Sequence, residues 1–378
     1  MRWTPLLIFP FMMLSAAHAA EPPRSPTSAT SPAYRQATPG YRYEFPRDHG
    51  AHDAFRTEWW YYTGHLSAAD GRPFGFELTF FRRATAPPGS PASPSAWTID
   101  HLYLAHAAVT DITGKRFLYD EKISRAGLGK AGADGDRLHV WIDRWRAEAS
   151  PGAGAPHHLT AATPKFSFDL RLTPQHPPVV HGVDGVSRKG SRPHETSHYY
   201  SFTRLATQGR LTVDGTTHDV TGLSWMDHEY GSGDLGEELV GWDWFSLQLN
   251  NGMDLMVYRL RRGNGQPDAS SSGTLRHADG RVTHLASGDV VVSVLDSWTS
   301  PTSKARYPHG WELRVPSADL IMTIRPLLKE QELITSRSTQ VTYWEGAVAV
   351  TGQWRGRLIE GQGYVELTGY ARSIRVTP

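Results

Sequence analysis

Between Gly222 and Phe245, acids, histidines and large aromatics crowd together, chiefly as Trp225-Met226-Asp227-His228-Glu229-Tyr230 and Gly241-Trp242-Asp243-Trp244. On an extended chain, side chains alternate between two faces, so Trp225 and Asp227 share a face, as do Trp242 and Trp244. A carboxyl enclosed by indoles inside a barrel loses hydration, and a neighbouring carboxylate adds repulsion. Both raise its pKa towards that of a proton donor working near neutral pH. The same residues also suit a plainer role, with the tryptophans as core and Asp227-His228-Glu229 as a hydrogen-bonded turn.

His194-Glu195-Thr196-Ser197-His198 matches the HExxH pattern of zinc proteases, which needs both histidines on one helix face. Pro193 precedes it and Thr196 to Leu205 favours an extended chain, so a strand is predicted and the zinc reading is rejected. His49, Asp227, His228 and Glu229 are of types that suit zinc or iron, but their spacing demands no metal. No metal and no cofactor is expected. The absence of cysteine excludes disulfides, thiolate metal sites and a catalytic cysteine. No G-x-S-x-G elbow and no phosphate-cradling loop occurs, which argues against a serine hydrolase or a nucleotide enzyme.

The elements that must position these residues read as strands. Phe74, Phe76, Leu78 and Phe80 alternate with Gly75, Glu77 and Thr79, and Phe166, Phe168, Leu170 and Leu172 repeat the pattern; period two predicts half-buried strands. Asp70-Gly71, Asp214-Gly215, Asn251-Gly252 and Asp279-Gly280 lie between β-favouring runs and signal hairpins. No long stretch keeps a 3.6-residue period. The implied architecture is all-β and antiparallel, closed into barrels that remove exposed edges.

A faint repeat sets the domain count. Asp48-His49 precedes Glu58-Trp59-Trp60-Tyr61-Tyr62 and a turn at Asp70-Gly71; Asp227-His228-Glu229 precedes Trp242-Asp243-Trp244-Phe245 and a turn at Asn251-Gly252. The offset is half the mature chain, which predicts two similar barrels in tandem, over 41–235 and 236–378, with Asp48 and Asp227 at equivalent positions.

Met1-Arg2, the apolar run Leu6 to Leu14 and Ala17-His18-Ala19 read as a signal peptide over 1–20, followed by a Pro/Ser/Thr-rich disordered linker over 21–40. The run is far short of the about 20 apolar residues that span a bilayer. The expected location is therefore periplasmic or secreted, and the mature protein is not membrane-spanning. The 39 basic residues of the full sequence nearly balance its 38 acidic ones. Loss of Arg2 with the leader leaves no net charge, so nucleic acid is excluded as a partner.

The strings Asp48-His49-Gly50-Ala51-His52, Thr57 to Leu66, Trp225-Met226-Asp227-His228-Glu229, Gly241 to Phe245, Tyr343-Trp344-Glu345-Gly346 and Gly363 to Tyr370 together resemble the hydroxyneurosporene synthase family, AttH-type and lipocalin-like. The resemblance runs from about Tyr43 to Tyr370. It implies two tandem lipocalin-like (calycin-type) antiparallel β-barrels and, from the carotenoid 1,2-hydratase branch, cofactor-independent addition of water to an isoprenoid double bond. By that resemblance the catalytic groups are His198 with Tyr200 and Trp225 with Asp227. Asp227 would protonate the alkene, Trp225 and Tyr200 would face the cation, and His198 would orient the attacking water. Trp59, Trp60, Tyr61, His228, Glu229, Trp242 and Trp244 are the expected ligand-binding residues. The Trp-Met-Asp-His-Glu form and the leader look like the "predicted secreted hydrolase" branch, which implies an ABC-type transporter as partner. Two functions follow: a hydratase acting on a small hydrophobic molecule, isoprenoid or lipid-like, or a periplasmic carrier of such a ligand. All four catalytic candidates are expected to converge on one apolar cavity inside a barrel.

Overall fold

The computed structural model describes Met1 and residues 33–90, 98–150, 152 and 154–374. The leader and residues 21–32 of the expected linker lie outside the described residues.

Two antiparallel sheets carry almost all the regular structure. The first has thirteen strands and curls into a near-closed barrel. Four of its long strands matter below: β1 (Thr57–Ala68), β2 (Pro73–Ala84), β3 (Thr196–Val213) and β4 (Thr216–Gly231). The second has ten strands, including β5 (Leu239–Leu249), β6 (Asp254–Arg262), β7 (Thr342–Trp354) and β8 (Arg357–Leu367). In each sheet the first long strand is flanked by the second and the last: β1 lies between β2 and β4, and β5 between β6 and β8. This all-β pair of lipocalin-like barrels is the architecture that the repeat implied. Among the described residues no helix is long and apolar enough to cross a membrane.

All four expected hairpin turns are present. Asp214 and Gly215 both take positive φ, 47° and 80°, which is the backbone of a two-residue turn matching strand twist. Phe74, Phe76, Leu78, Phe80 and Phe166, Phe168, Leu170, Leu172 fill the first barrel. The Phe166–Pro174 strand is half-buried as its period indicates. β2 is not: Gly75, Glu77 and Thr79 on its other face are buried too, because the second sheet lies against that face. The two sheets approach closely at Gly75, since a Cβ there would collide with Tyr364 Oη.

Two expectations need correction. Asp48 and Asp227 are not equivalent: Asp48 sits in a 3-10 turn (Arg47–His49) before β1, whereas Asp227 lies within β4, the last long strand of the same sheet. The repeat holds instead for Trp59 to Tyr62 on β1 and Trp242 to Phe245 on β5. The expected linker also ends early. Ala37 is buried, its carbonyl accepts from Thr196 Oγ1 at 2.9 Å, and Tyr34 Oη donates to the Ala84 carbonyl at 3.0 Å. These two residues anchor a stretch whose overall composition looks unstructured.

Candidate active site in the seam between the sheets

β1, β3 and β4 are adjacent strands, and alternation gives them two buried faces. Trp60, Tyr62, Tyr200, Phe202 and Met226 point into the first barrel. Tyr61, Tyr199 and Trp225 point the other way and meet Trp244, Tyr258, Ala347 and Tyr364 of the second sheet, with Trp59 and Trp242 at the margin. Trp244 meets Tyr61 edge to face at 5.1 Å and Trp225 at 6.3 Å. This seam is a second apolar core.

Asp227 lies in the seam, 4 % exposed. Its Oδ1 accepts from Trp225 Nε1 at 2.6 Å and from Ser201 Oγ; its Oδ2 accepts from Tyr199 Oη at 2.6 Å. Tyr199 Oη in turn accepts from Trp244 Nε1 at 3.0 Å. Burial pushes the Asp227 carboxyl up to about 7, although the donors Ser201, Tyr199 and Trp225 favour its ionised form and limit the rise. Such a group holds a transferable proton at neutral pH and has a prepared set of donors for the carboxylate left behind.

More acids follow along the same seam. Glu229 pairs with Lys189 Nζ at 2.7 Å and accepts from Ser197 Oγ; Lys189 also lies 4.5 Å over the Tyr258 ring. Glu366 accepts from Trp242 Nε1 at 2.7 Å and is pushed by burial to about 7. Glu345 accepts from Tyr61 Oη at 2.6 Å, and Glu77 accepts from Thr79 Oγ1 at 3.1 Å and Tyr343 Oη at 3.2 Å. Burial lifts Glu77 to about 8; burial and the neighbouring Glu77 lift Glu345 well above the carboxylate range. Burial and mutual repulsion favour the protonated forms of Glu77 and Glu345 near neutral pH.

The four residues expected to converge do not. Trp225 and Asp227 face the seam, whereas Tyr200 and His198 face the first barrel and its mouth. The cross-strand pairs show it: Ser201 opposes Asp227, while Tyr200 opposes His228 and His198 opposes Tyr230. His198 packs on Tyr41 at 4.3 Å and its Nδ1 meets the Gly185 carbonyl at 2.8 Å. The four residues part because the second sheet covers the outer face of these strands, so both of their faces are buried. Of the ligand-binding candidates, Trp59, Tyr61, Glu229, Trp242 and Trp244 belong to the seam, and Trp60 and His228 to the barrel interior.

That interior holds its own polar network. Glu58 Oε1 meets His52 Nδ1 and His228 Nε2, both at 2.8 Å, and Oε2 accepts from Arg82 Nε at 3.0 Å. Tyr200 Oη joins His49 Nδ1 at 2.7 Å and His228 Nδ1 at 3.0 Å. Burial alone would raise the Glu58 pKa, but Arg82 and His52 outweigh it and hold the carboxyl well below its usual range. His52, Glu58 and His228 have the composition of a metal site, with donor atoms within 4.8 Å of one another. The fully buried Arg82 already supplies the positive charge that Glu58 requires, so the cluster reads as an ion-paired core. The HExxH stretch is no helix: His194 is exposed in a turn and His198 lies in β3.

An AttH-like family model matches residues 36–370. The chain belongs to the AttH-like family. The crystal structure of an AttH protein of Nitrosomonas europaea is 34 % identical, with a TM-score of 0.80 over 89 % of this chain and 100 % of that one. Kievitone hydratase of Nectria haematococca shares the fold, with a TM-score of 0.68 at 14 % identity over 90 % of this chain and 98 % of the other. Dehydratase asqC of Emericella nidulans is 25 % identical over 221 residues, 55 % of this chain; the match spans 60 % of that relative's length.

In this AttH-like chain, reading the sequence missed Lys189, Ser197, Tyr199, Ser201 and Glu77 as seam residues. Glu345 and Glu366 lie in the quoted strings, yet nothing there distinguishes them from strand acids facing water. The usable signal is on β3, where Ser197, Tyr199 and Ser201 form a period-two polar series opposite His198 and Tyr200.

Proposed function

We propose that this protein is a cofactor-independent hydro-lyase that adds water to, or removes it from, an apolar molecule held in the seam, with Asp227 as the proton carrier. The observation that carries this reading is the Asp227 carboxyl itself: buried, poised near 7 and surrounded by Trp225, Trp244 and Tyr199. In the hydration direction the Asp227 proton forms a C–H bond at one alkene carbon, leaving a cation at the other. The faces of Trp225 and Trp244 stabilise that cation, and the donors Ser201, Tyr199 and Trp225 stabilise the new carboxylate. Water then forms the C–O bond and gives up a proton to a carboxylate of the seam, such as the Lys189-paired Glu229. Dehydration is the reverse sequence. The curated relative is a dehydratase, and a chain of the same fold is a hydratase, which supports this class of chemistry.

The substrate that suits indole walls is isoprenoid or lipid-like, and the leader read in the sequence supports action in the periplasm or outside the cell. The test pairs a binding assay with chromatographic product analysis on apolar alkenes and the corresponding tertiary alcohols. Asp227→Asn should abolish turnover and leave binding nearly intact, because the amide keeps the shape and lacks the acidic proton. Tight binding with no turnover by the wild type would overturn the enzyme reading in favour of a carrier working beside a membrane transporter.

A further inference from the structure

The second sheet has an unsealed side. Its terminal strands, Val282–Ala286 and Val291–Val294, are not paired with each other, and a cavity of about 350 Å³ opens where they part. One wall is apolar, with Val257, Pro267, Val290 and Val292 among its residues, and Val290 and Val292 rest on the second barrel's core. Arg259 of β6 lines the same cavity.

Arg259 is a poorly satisfied cation. Its side chain is 19 % exposed, and its ion-pair partner is Asp243, at 3.8 Å. Asp243 is already engaged, by Arg261 Nε at 2.9 Å and Tyr370 Oη at 2.9 Å. Among the described residues Arg259 makes no side-chain hydrogen bond within normal reach. A half-buried guanidinium whose donors make no hydrogen bond to the protein is open to an anion that can accept two parallel N–H bonds.

We propose that this cavity is a binding site for a small organic monocarboxylate, with the carboxylate on Arg259 and the hydrocarbon part against Val257, Val290 and Val292. The volume suits a small ligand. Charge selects the class: one partly buried guanidinium balances one negative charge, whereas a phosphate dianion would carry an uncompensated charge into a half-apolar pocket. The site lies outside the seam and does not depend on the hydro-lyase reading.

The test is calorimetric titration of the full chain with octanoate, octan-1-ol and inorganic phosphate. Octanoate should bind saturably, and octan-1-ol and phosphate at least about 10-fold more weakly. Arg259→Gln should weaken octanoate by about 10-fold or more. Val292→Trp, at a half-buried position on the rim strand, should block binding by filling the cavity without disturbing β6. Circular dichroism would confirm that each variant folds, and Asp227→Asn should bind octanoate as the wild type does. Equal binding by Arg259→Gln and wild type, or octan-1-ol binding as tightly as octanoate, would overturn the proposal.

Discussion

Replacing Asp227 by Asn should make the protein more stable relative to wild type as pH rises, the opposite of what removing a hydrogen-bonded buried carboxylate usually does. The Asp227 pKa rises from an unfolded 3.8 to about 7 in the fold. The folded state therefore binds more protons than the unfolded state between those values, so stability falls as pH increases through the window and stays low above it. From pH 5 to pH 9 the folded carboxyl titrates while the unfolded one is already ionised. At 1.36 kcal/mol per pH unit this costs wild type about 3 kcal/mol. Asn at this position does not titrate. Its amide can accept from Ser201 and Trp225 as the carboxyl does, but it presents N–H groups to Tyr199 Oη, which sets a fixed, pH-independent penalty. Urea unfolding of both proteins at pH 5 and pH 9, followed by tryptophan fluorescence, gives the difference directly. The other raised acids of the seam, Glu77, Glu345 and Glu366, remain in both proteins and largely cancel in the comparison. A stability difference that is the same at both pH values would refute the claim that burial holds this carboxyl protonated.

Tyr199→Phe removes one donor to the Asp227 carboxylate, so the Asp227 titration should move upward by roughly one unit, read as an alkaline shift of the falling limb in the same stability profile. Lys189→Met leaves Glu229 buried beside an apolar side chain and should cost about 3 kcal/mol in urea unfolding, whereas Lys189→Met with Glu229→Gln should recover much of the loss. Gly75→Ala puts a methyl against Tyr364 and Ala347 and should lower stability by about 1–3 kcal/mol; an unchanged unfolding midpoint would show that the sheets are not in tight contact there.

The strands and turns were legible because each depends on local physics. The Phe74 and Phe166 series carry a period of two, and Asp214-Gly215 needs positive φ at both residues. The aromatic-rich site strings were legible as well, and Trp225 with Asp227 was correctly placed on one strand face. What the sequence does not carry is which buried face belongs to which core. β1, β3 and β4 are apolar and aromatic on both sides, so period-two reasoning separates Asp227 from His228 without telling that Asp227 meets the other sheet. The acids Glu77 and Glu345 come from distant strands whose proximity depends on docking of the two sheets, and Glu77 reads locally as the polar side of an amphipathic strand. Lys189 looks like an ordinary loop cation; its burial follows from Glu229 and Tyr258, neither close to it in sequence.

The most direct test of the central claim is to incubate the wild type and Asp227→Asn with a panel of apolar trisubstituted alkenes in ¹⁸O-labelled water and analyse the products by mass spectrometry. The account predicts that the wild type converts at least one alkene to an alcohol carrying one labelled oxygen and that Asp227→Asn, folded and still binding that alkene, forms none. Labelled alcohol produced equally by both proteins would contradict it.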